Sequence, residues 1–253
     1  ERKYNRSIKQ CAVWLQSHLQ HIGMKAVSLI ETDGHPIVYA EWMEAPGKPT
    51  LLIYGHYDVQ PADSALAWSN PPFSPSLLNG YIYGRGASDD KGQLFVHIKA
   101  LEYYLRVYGK LPLNVRCVFE GEEETGSKHL LALLQQRPGL FKADVVIVSD
   151  MIMPHEGQPA ITYSMRGALA VEIFLKGQLN ELHSGIFGGA ICNPLQALCE
   201  IITALHKNER IAIPGFYDKV NERSNQERNY MYMHGRKPQE ILTDAGTKYS
   251  WGE

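Results

Sequence analysis

The sequence predicts a layered α/β domain followed by a smaller domain of different texture, and three observations carry that expectation. Three short apolar runs, Thr50 to Tyr54, Val115 to Phe119 and Val145 to Val148, have the length and branched composition of strands buried in a sheet. Helical patterns over Leu94 to Tyr108 and Lys128 to Gln136 separate these runs, and strands alternating with helices build a layered domain. From Leu169 the pattern changes. Leu169, Val171, Ile173 and Leu175 alternate with Ala170, Glu172, Phe174 and Lys176, the period-2 signature of a half-exposed strand on a one-sided sheet.

The elements follow in order. Ile8, Cys11, Ala12, Leu15, Leu19 and Ile22 fall on the 3.6-residue stripe of an amphipathic surface helix, which Gly23 ends. The turn Pro46-Gly47-Lys48-Pro49 introduces the first apolar run. A domain boundary is expected at Arg166-Gly167, where the texture changes. Asn193 resembles an N-cap, with Pro194 at the first helical position and Gln196 three residues past the cap, so a helix is expected through about residue 205. Beyond Pro214 the pattern weakens and supports no assignment. No repeat or low-complexity tract is present.

Composition narrows the function classes. The 253 residues are 44% hydrophobic and 21% charged, which excludes a disordered chain, a collagen or a disulfide scaffold. With 25 Lys+Arg against 27 Asp+Glu, no basic field exists to attract nucleic acid or an anionic membrane. The four cysteines, Cys11, Cys117, Cys192 and Cys199, form no C-x-x-C pair, so reduced and mostly buried thiols of a cytoplasmic protein are expected. No apolar run is long enough to span a bilayer, and the first residues are not signal-like. The chain begins at Glu1 rather than at a methionine, so the expected start lies upstream.

Each apolar run is followed at once by metal-binding side chains. Thr50 to Tyr54 leads into Gly55-His56-Tyr57-Asp58, Val115 to Phe119 into Glu120-Gly121-Glu122-Glu123-Glu124, and Val145 to Val148 into Ser149-Asp150. Ligands of α/β sheets bind outside the carboxyl ends of the strands, where such loops converge. A fourth contributor is Gly84-Arg85-Gly86-Ala87-Ser88-Asp89-Asp90-Lys91-Gly92, a glycine-punctuated loop opening a helix. An imidazole packed among carboxylates is stabilised by a cation, and oxygen plus imidazole donors suit zinc, manganese or cobalt. Asp58 could accept the second ring N–H of His56 and fix its tautomer. Taken singly, each piece has an ordinary reading: a structural histidine, a solvated glutamate loop, an Asp89-Asp90 helix cap. His18, His21, His35, His97 and His129 are read as structural. Four such groups after buried strands point instead to one metal site.

Other templates fail. Gly84-Arg85-Gly86 lacks the third glycine of a dinucleotide fingerprint because position 89 is Asp. No G-x-S-x-G elbow is present. His155-Glu156 is followed by Gly157, Gln158 and Pro159, which breaks an H-E-x-x-H zinc motif.

These segments resemble the dinuclear metallopeptidases that include aminoacylase, carboxypeptidase G, the succinyl-diaminopimelate desuccinylases and the cytosolic dipeptidases. Gly55 through Pro61, Trp68 through Pro75, Gly84 through Gly92, Glu120 through Ser127 and Ser149-Asp150 match in order and spacing. The likeness continues through Pro159-Ala160-Ile161, Arg166-Gly167, Leu182-His183-Ser184-Gly185, Gly188-Gly189 and Asn193-Pro194, and is greatest to the carnosine and nonspecific dipeptidase branch.

The resemblance implies a layered catalytic α/β domain with a mixed sheet, its N-terminal portion in residues 1–165. It also implies part of a smaller α+β lid and dimerisation domain in 166–253. It implies two divalent metal ions, zinc foremost, with His56 and Asp150 on one, Glu124 on the other and Asp89 bridging. Glu123 would be the general base, Asp58 would orient His56, and His183 would stabilise the oxyanion, from the partner subunit of a homodimer. A cis peptide between Asp89 and Asp90 is implied too. The implied reaction is hydrolysis of the amide bond of a dipeptide or short peptide; an N-acyl amino acid deacylase or an inactive metal-binding relative are the alternatives. Three consecutive glutamates stand where the family has two, so the base and ligand could shift by one position. The family's final ligand, a histidine near its C-terminus, has no match before Glu253, so the chain is expected to be a portion of a longer protein.

Overall fold

The first helix forms on the expected apolar stripe. In the computed structural model, which describes residues 4–62, 68–154, 156–165 and 167–251, α1 (Asn5–His21) buries Ala12, Leu15 and Leu19. It stops where Gly23 takes φ +97°, a conformation that costs glycine little. The chain then runs through β1 (Ser28–Ile30), β2 (Ile37–Trp42), β3 (Thr50–His56), the hairpin β4 (Ser76–Leu78) and β5 (Tyr81–Tyr83), α2 (Lys91–Tyr108), β6 (Asn114–Glu120), α3 (Lys128–Gln136) and β7 (Val145–Val148). The three strands and two helices expected from apolar pattern are all present, α2 beginning three residues earlier than its stripe suggested. The β1, β2, β4 and β5 strands were not expected.

Five strands make a mixed sheet in the order β1-β2-β6-β3-β7. β2 pairs antiparallel with β1 and β6, whereas β3 pairs parallel with β6 and β7. Alternation along β2 sorts its side chains. Val38, Ala40 and Trp42 join Leu15 and Leu19 of α1 and Leu94, Ile98 and Leu101 of α2 in the main core. Ile37 and Tyr39 face the other way, onto Leu133 of α3 with Leu52 and Val118. The sheet is therefore covered on both faces, and truncating a fully buried residue such as Phe119 would cost about 3–5 kcal/mol. Because α2 follows β3 on one face and α3 follows β6 on the other, a crevice opens at the carboxyl ends of these two adjacent strands.

β7 departs from expectation. It is an edge strand, with Val145, Val146 and Val148 each more than half exposed, because among the described residues no strand lies beyond it. An apolar run reports a tendency to pair and does not reveal on how many sides it is covered.

Two units divide the chain, Glu1–Ile152 and Met153–Glu253. The boundary expected near residues 165–166 thus falls within the second unit, and Arg166 itself, like His155 of the broken zinc motif, lies outside the described residues. The second unit contains α4 (Ser184–Phe187), α5 (Pro194–Ala204), the hairpin β8 (His206–Lys207) and β9 (Arg210–Ile211), α6 (Asn225–His234) and α7 (Pro238–Asp244). α5 starts as expected: the Asn193 side chain accepts from Leu195 N–H, and Pro194 occupies the first helical position.

The alternating segment around Leu169 to Leu175 forms no strand among the described residues. Alternation sets which side chains share a face, but a strand exists only where a neighbour takes its backbone hydrogen bonds, and none does here. The thiols also differ from expectation. Only Cys117 is buried; Cys11 is half-buried, and Cys192 and Cys199, in the more exposed second unit, face solvent. All four are free. Among the described residues no helix is long and apolar enough to cross a membrane.

Candidate metal centre

His56 ends β3, and parallel pairing sets what surrounds it. Its register partner on β6 is Glu120, and Tyr54 pairs with Val148 on β7, so the chain beyond β7 brings Asp150 alongside His56. Asp89 arrives from the loop that opens α2, through a cis peptide to Asp90 as the resemblance implied. One ligand atom each from His56, Asp89 and Asp150 lie within 4.8 Å of one another. From His56 Nε2, Asp89 Oδ1 is 3.2 Å away, Asp150 Oδ2 3.5 Å and Glu123 Oε2 3.9 Å.

The imidazole is held from behind. Its Nδ1 lies 3.2 Å from Asp58 Oδ1, and its backbone N–H donates to Asp90 Oδ2 at 3.0 Å. The ordinary alternative for Asp89-Asp90, a helix cap, does not hold for Asp90, whose side chain makes no cap and instead braces the end of β3. Gly55 is required beside it, since a Cβ there would lie 2.9 Å from Asp90 Oδ2. Asp58 does more than orient a ring. Its two oxygens also accept the backbone N–H groups of Glu123, at 3.3 Å, and Glu124, at 3.1 Å. One carboxylate thereby ties the loop after β3 to the turn after β6.

That turn is fixed on its other side. Glu122 Oε2 lies 2.5 Å from His129 Nδ1 of α3, while its carbonyl accepts the N–H groups of Thr125 and Ser127. Gly34 packs so closely over this pair that a Cβ would come 1.9 Å from Glu122 Oε1. Gly121 faces the ring of Tyr57, whose atoms would sit 2.5 Å from a Cβ. The first of the three glutamates is therefore a structural member of the turn, Glu123 points toward His56, and Glu124 is elsewhere. Both Glu124 oxygens are taken by Gln60, one from its backbone N–H at 3.1 Å and one from its amide at 2.7 Å. Glu124 is not among the three residues whose ligand atoms converge.

Charge is concentrated under this surface. Burial would pull the His56 imidazole down, but the Asp58 hydrogen bond and the charges of Asp58, Asp150 and Asp90 outweigh it and raise the group to about 9. Burial pushes Asp90 up to about 6, with Asp150 and Asp89 adding to the rise and His56 opposing it. Glu123 is also raised, by burial first and then by Glu124, Asp150 and Asp58 against the pull of His56. Glu120, raised by burial, is held by Tyr54 Oη at 2.6 Å and Ser127 Oγ at 2.8 Å beneath the turn.

A divalent cation fits this donor set. His56 Nε2 is fully buried, has no hydrogen-bond partner, and faces three carboxylates. A proton at this nitrogen is favoured by the same carboxylates, and a divalent metal ion takes its place by accepting the lone pair and neutralising more of the acid charge. The carboxylates remain open on the far side, Asp89 being 55% exposed, which leaves room for water and a substrate.

His183, expected at the oxyanion, belongs to the second unit. It caps α4, its Nδ1 accepting from Gly185 N–H at 3.0 Å, and is exposed. Gln60 and Asp90, which brace the site, and the half-buried His97 have no site role in the sequence analysis. The last carried a signal, since His97 lies on the stripe of Leu94, Ile98 and Leu101 that α2 buries. Gln60 carried none, because its contact with Glu124 spans 64 residues.

A mixed sheet whose parallel strands end in one imidazole and converging carboxylates defines a metal-binding α/β protein. The chain belongs to Peptidase family M20/M25/M40, which it matches over residues 52–242. It is 40% identical over 191 residues to the Cys-Gly metallodipeptidase dug1 of Schizosaccharomyces pombe, covering 74% of this chain and 40% of that protein. It is 34% identical over 203 residues to the Beta-Ala-His dipeptidase of Homo sapiens, covering 79% and 40%. The M20 family metallo-carboxypeptidase Sso-CP2 from Sulfolobus solfataricus superposes with a TM-score of 0.78 at 33% identity, over 97% of this chain and 56% of that one. Human carnosine dipeptidase 1 gives 0.74 at 26% identity, over 99% and 55%. The chain spans about two fifths of the length of these curated relatives.

Proposed function

We propose that this chain carries the metal-binding portion of a metallopeptidase that hydrolyses the amide bond of dipeptides or short peptides. The observation that carries the reading is the buried, unpartnered His56 Nε2 set against Asp89, Asp150 and Glu123. The substrate class is supported by the relatives, two of which are named as dipeptidases of Cys-Gly and of Beta-Ala-His.

His56, Asp89 and Asp150 would hold one divalent ion, and Glu124, released from Gln60, would join Asp89 on a second. Zinc suits these donors best, with manganese and cobalt also compatible. When bound, such ions polarise a carbonyl and acidify a water. Asp58 keeps the His56 ring turned toward the carboxylates, and Asp90 fixes the backbone behind it. Glu123, its carboxyl already raised by burial, takes a proton from the attacking water and passes it to the leaving amine. His183 would donate to the developing oxyanion, in a homodimer from the partner subunit. Residues from the second unit would then serve as lid and dimer contact, in a cytoplasmic enzyme.

Purified protein with stoichiometric zinc, cobalt or manganese is tested on a dipeptide panel beside acetyl- and succinyl-amino acids. Preferential, metal-dependent hydrolysis of dipeptides is expected and is lost in His56→Ala. Faster turnover of the acyl-amino acids would assign the deacylase reaction instead, and a full-length protein containing this chain that binds metal yet turns over neither would be a non-catalytic relative.

A further inference from the structure

Helix α2 places a histidine against the loop that carries Asp150. His97 Nε2 lies 2.6 Å from Ser149 Oγ, a contact that joins residues 52 apart. His97 sits three residues after Leu94 and four before Leu101, so it is directed to the same sheet-facing side as those buried leucines. Ser149 stands between Val148, the last residue of β7, and Asp150.

Asp150 is supplied by a short edge strand of the sheet, held on one side alone among the described residues. β3 pairs with β6 through seven register partners, Thr50 to His56, but with β7 through only four, ending at Tyr54 with Val148. The ladder therefore stops two residues short of Asp150, on a strand whose valines are half-exposed. Asp89 and Asp90, by contrast, sit directly before the first residue of α2, a helix anchored in the main core by Leu94, Ile98 and Leu101. The His97 to Ser149 contact joins this anchored helix to the loosely held loop.

We propose that His97 is a positioning residue of the metal centre, acting through Ser149 to set the Asp150 carboxylate against His56 and Asp89. The inference rests on the reading of Asp150 as a ligand and adds the device that keeps it in place. Either ring tautomer makes the tie, as acceptor from the serine hydroxyl or as donor to it. Burial lowers the His97 pKa, which favours the neutral ring that this bond uses.

Cobalt(II) titration of the metal-stripped intact protein, in competition with a chromogenic chelator, tests this in wild type, His97→Ala, Ser149→Ala, the double variant and His56→Ala. The melting temperature of each metal-free form is recorded alongside. Removing either partner is expected to weaken binding by about tenfold, at the lower end for groups that support a ligand. The double variant should be no weaker than either single one, and His97→Gln, which can still meet the hydroxyl, should recover part of the loss. Metal-free melting temperatures should stay within about 2 °C of wild type. If His97→Ala does not fold, Ser149→Ala and His97→Gln make the same measurement. Unchanged affinity in the single variants while His56→Ala abolishes binding would overturn the positioning role and leave the metal centre standing. Unchanged affinity in His56→Ala as well would overturn the metal reading itself. Additive losses in the double variant, or losses that track a falling metal-free melting temperature, would reduce the contact to ordinary packing.

Discussion

Oδ1 of Asp58 lies 3.2 Å from Nδ1 of His56, two residues earlier along the chain. The same carboxylate accepts the N–H groups of Glu123 and Glu124. Asp58 is thus the point at which the ends of two strands, and with them the proposed ligand His56 and the proposed base Glu123, are set in common. Asp58→Asn keeps the shape but offers one oxygen and one NH2 where two acceptors are needed. We expect metal affinity to fall by about 10- to 100-fold, with turnover falling further because the glutamate turn loosens as well. Chelator competition and steady-state kinetics on the same preparation check this; unchanged values in both would remove Asp58 from the site.

The metal-free protein should lose stability as the solution becomes alkaline. A histidine raised from 6.5 to about 9 stabilises the fold fully below pH 6.5, and that contribution disappears as the pH rises through 9. The shift corresponds to about 3 kcal/mol. Asp90, raised from 3.8 to about 6, acts in the same direction at lower pH, its contribution being lost as the pH rises through 6. Thermal melts of metal-stripped protein between pH 6 and 9 should fall in wild type and flatten in His56→Gln. Metal affinity should rise over the same interval, because the ion no longer competes with a proton at Nε2.

Glu123 and Glu124 should separate by function. Glu123→Gln is expected to lower turnover by about 10²- to 10⁴-fold while the protein retains its metal, since an amide cannot take the proton. Glu124→Gln should lower the number of ions bound per chain. Metal analysis with kinetics distinguishes the two, and the reverse pattern would exchange the two roles.

Gly34→Ala should destabilise the fold by about 1–3 kcal/mol, since its methyl group would overlap Glu122 Oε1 and crowd His129 Nδ1. Combining it with Glu122→Ala removes the obstacle, so the pair should be more stable than Gly34→Ala alone. Urea denaturation of the three variants measures this directly, and strictly additive losses would show that the clash is relieved some other way.

The parts of this structure that were legible in the sequence are those whose cause is local. β3, β6 and α2 follow from apolar runs and stripes, and His56, Asp89 and Asp150 could be singled out because each adjoins such an element. β2 was missed although it is buried on both faces: Glu41 interrupts its apolar run, and that charge is tolerated because Arg116 on the neighbouring β6 lies 3.5 Å away. The β4–β5 hairpin does carry a local signal, Asn79-Gly80 with positive φ at both residues. Leu169 to Leu175 shows the converse, a regular alternation without the partner that makes a strand. Gln60 on Glu124 and His97 on Ser149 are contacts between distant parts of the chain, and no spacing rule reaches them.

The bare flank of β7 has a consequence for handling the protein. Val145-Val146-Ile147-Val148 is a four-residue, uncharged, β-branched segment whose outer backbone edge meets no other strand among the described residues. Such an edge recruits any extended chain that reaches it, including the same segment of another molecule. Lys142 and Asp144 before it and Asp150 after it act as gatekeepers that confine the sticky stretch to its minimum length. On the proposed metal reading, a bound cation would take the charge of Asp150 from that guard, and metal loading would then be linked to colloidal behaviour through a single aspartate at the end of this strand.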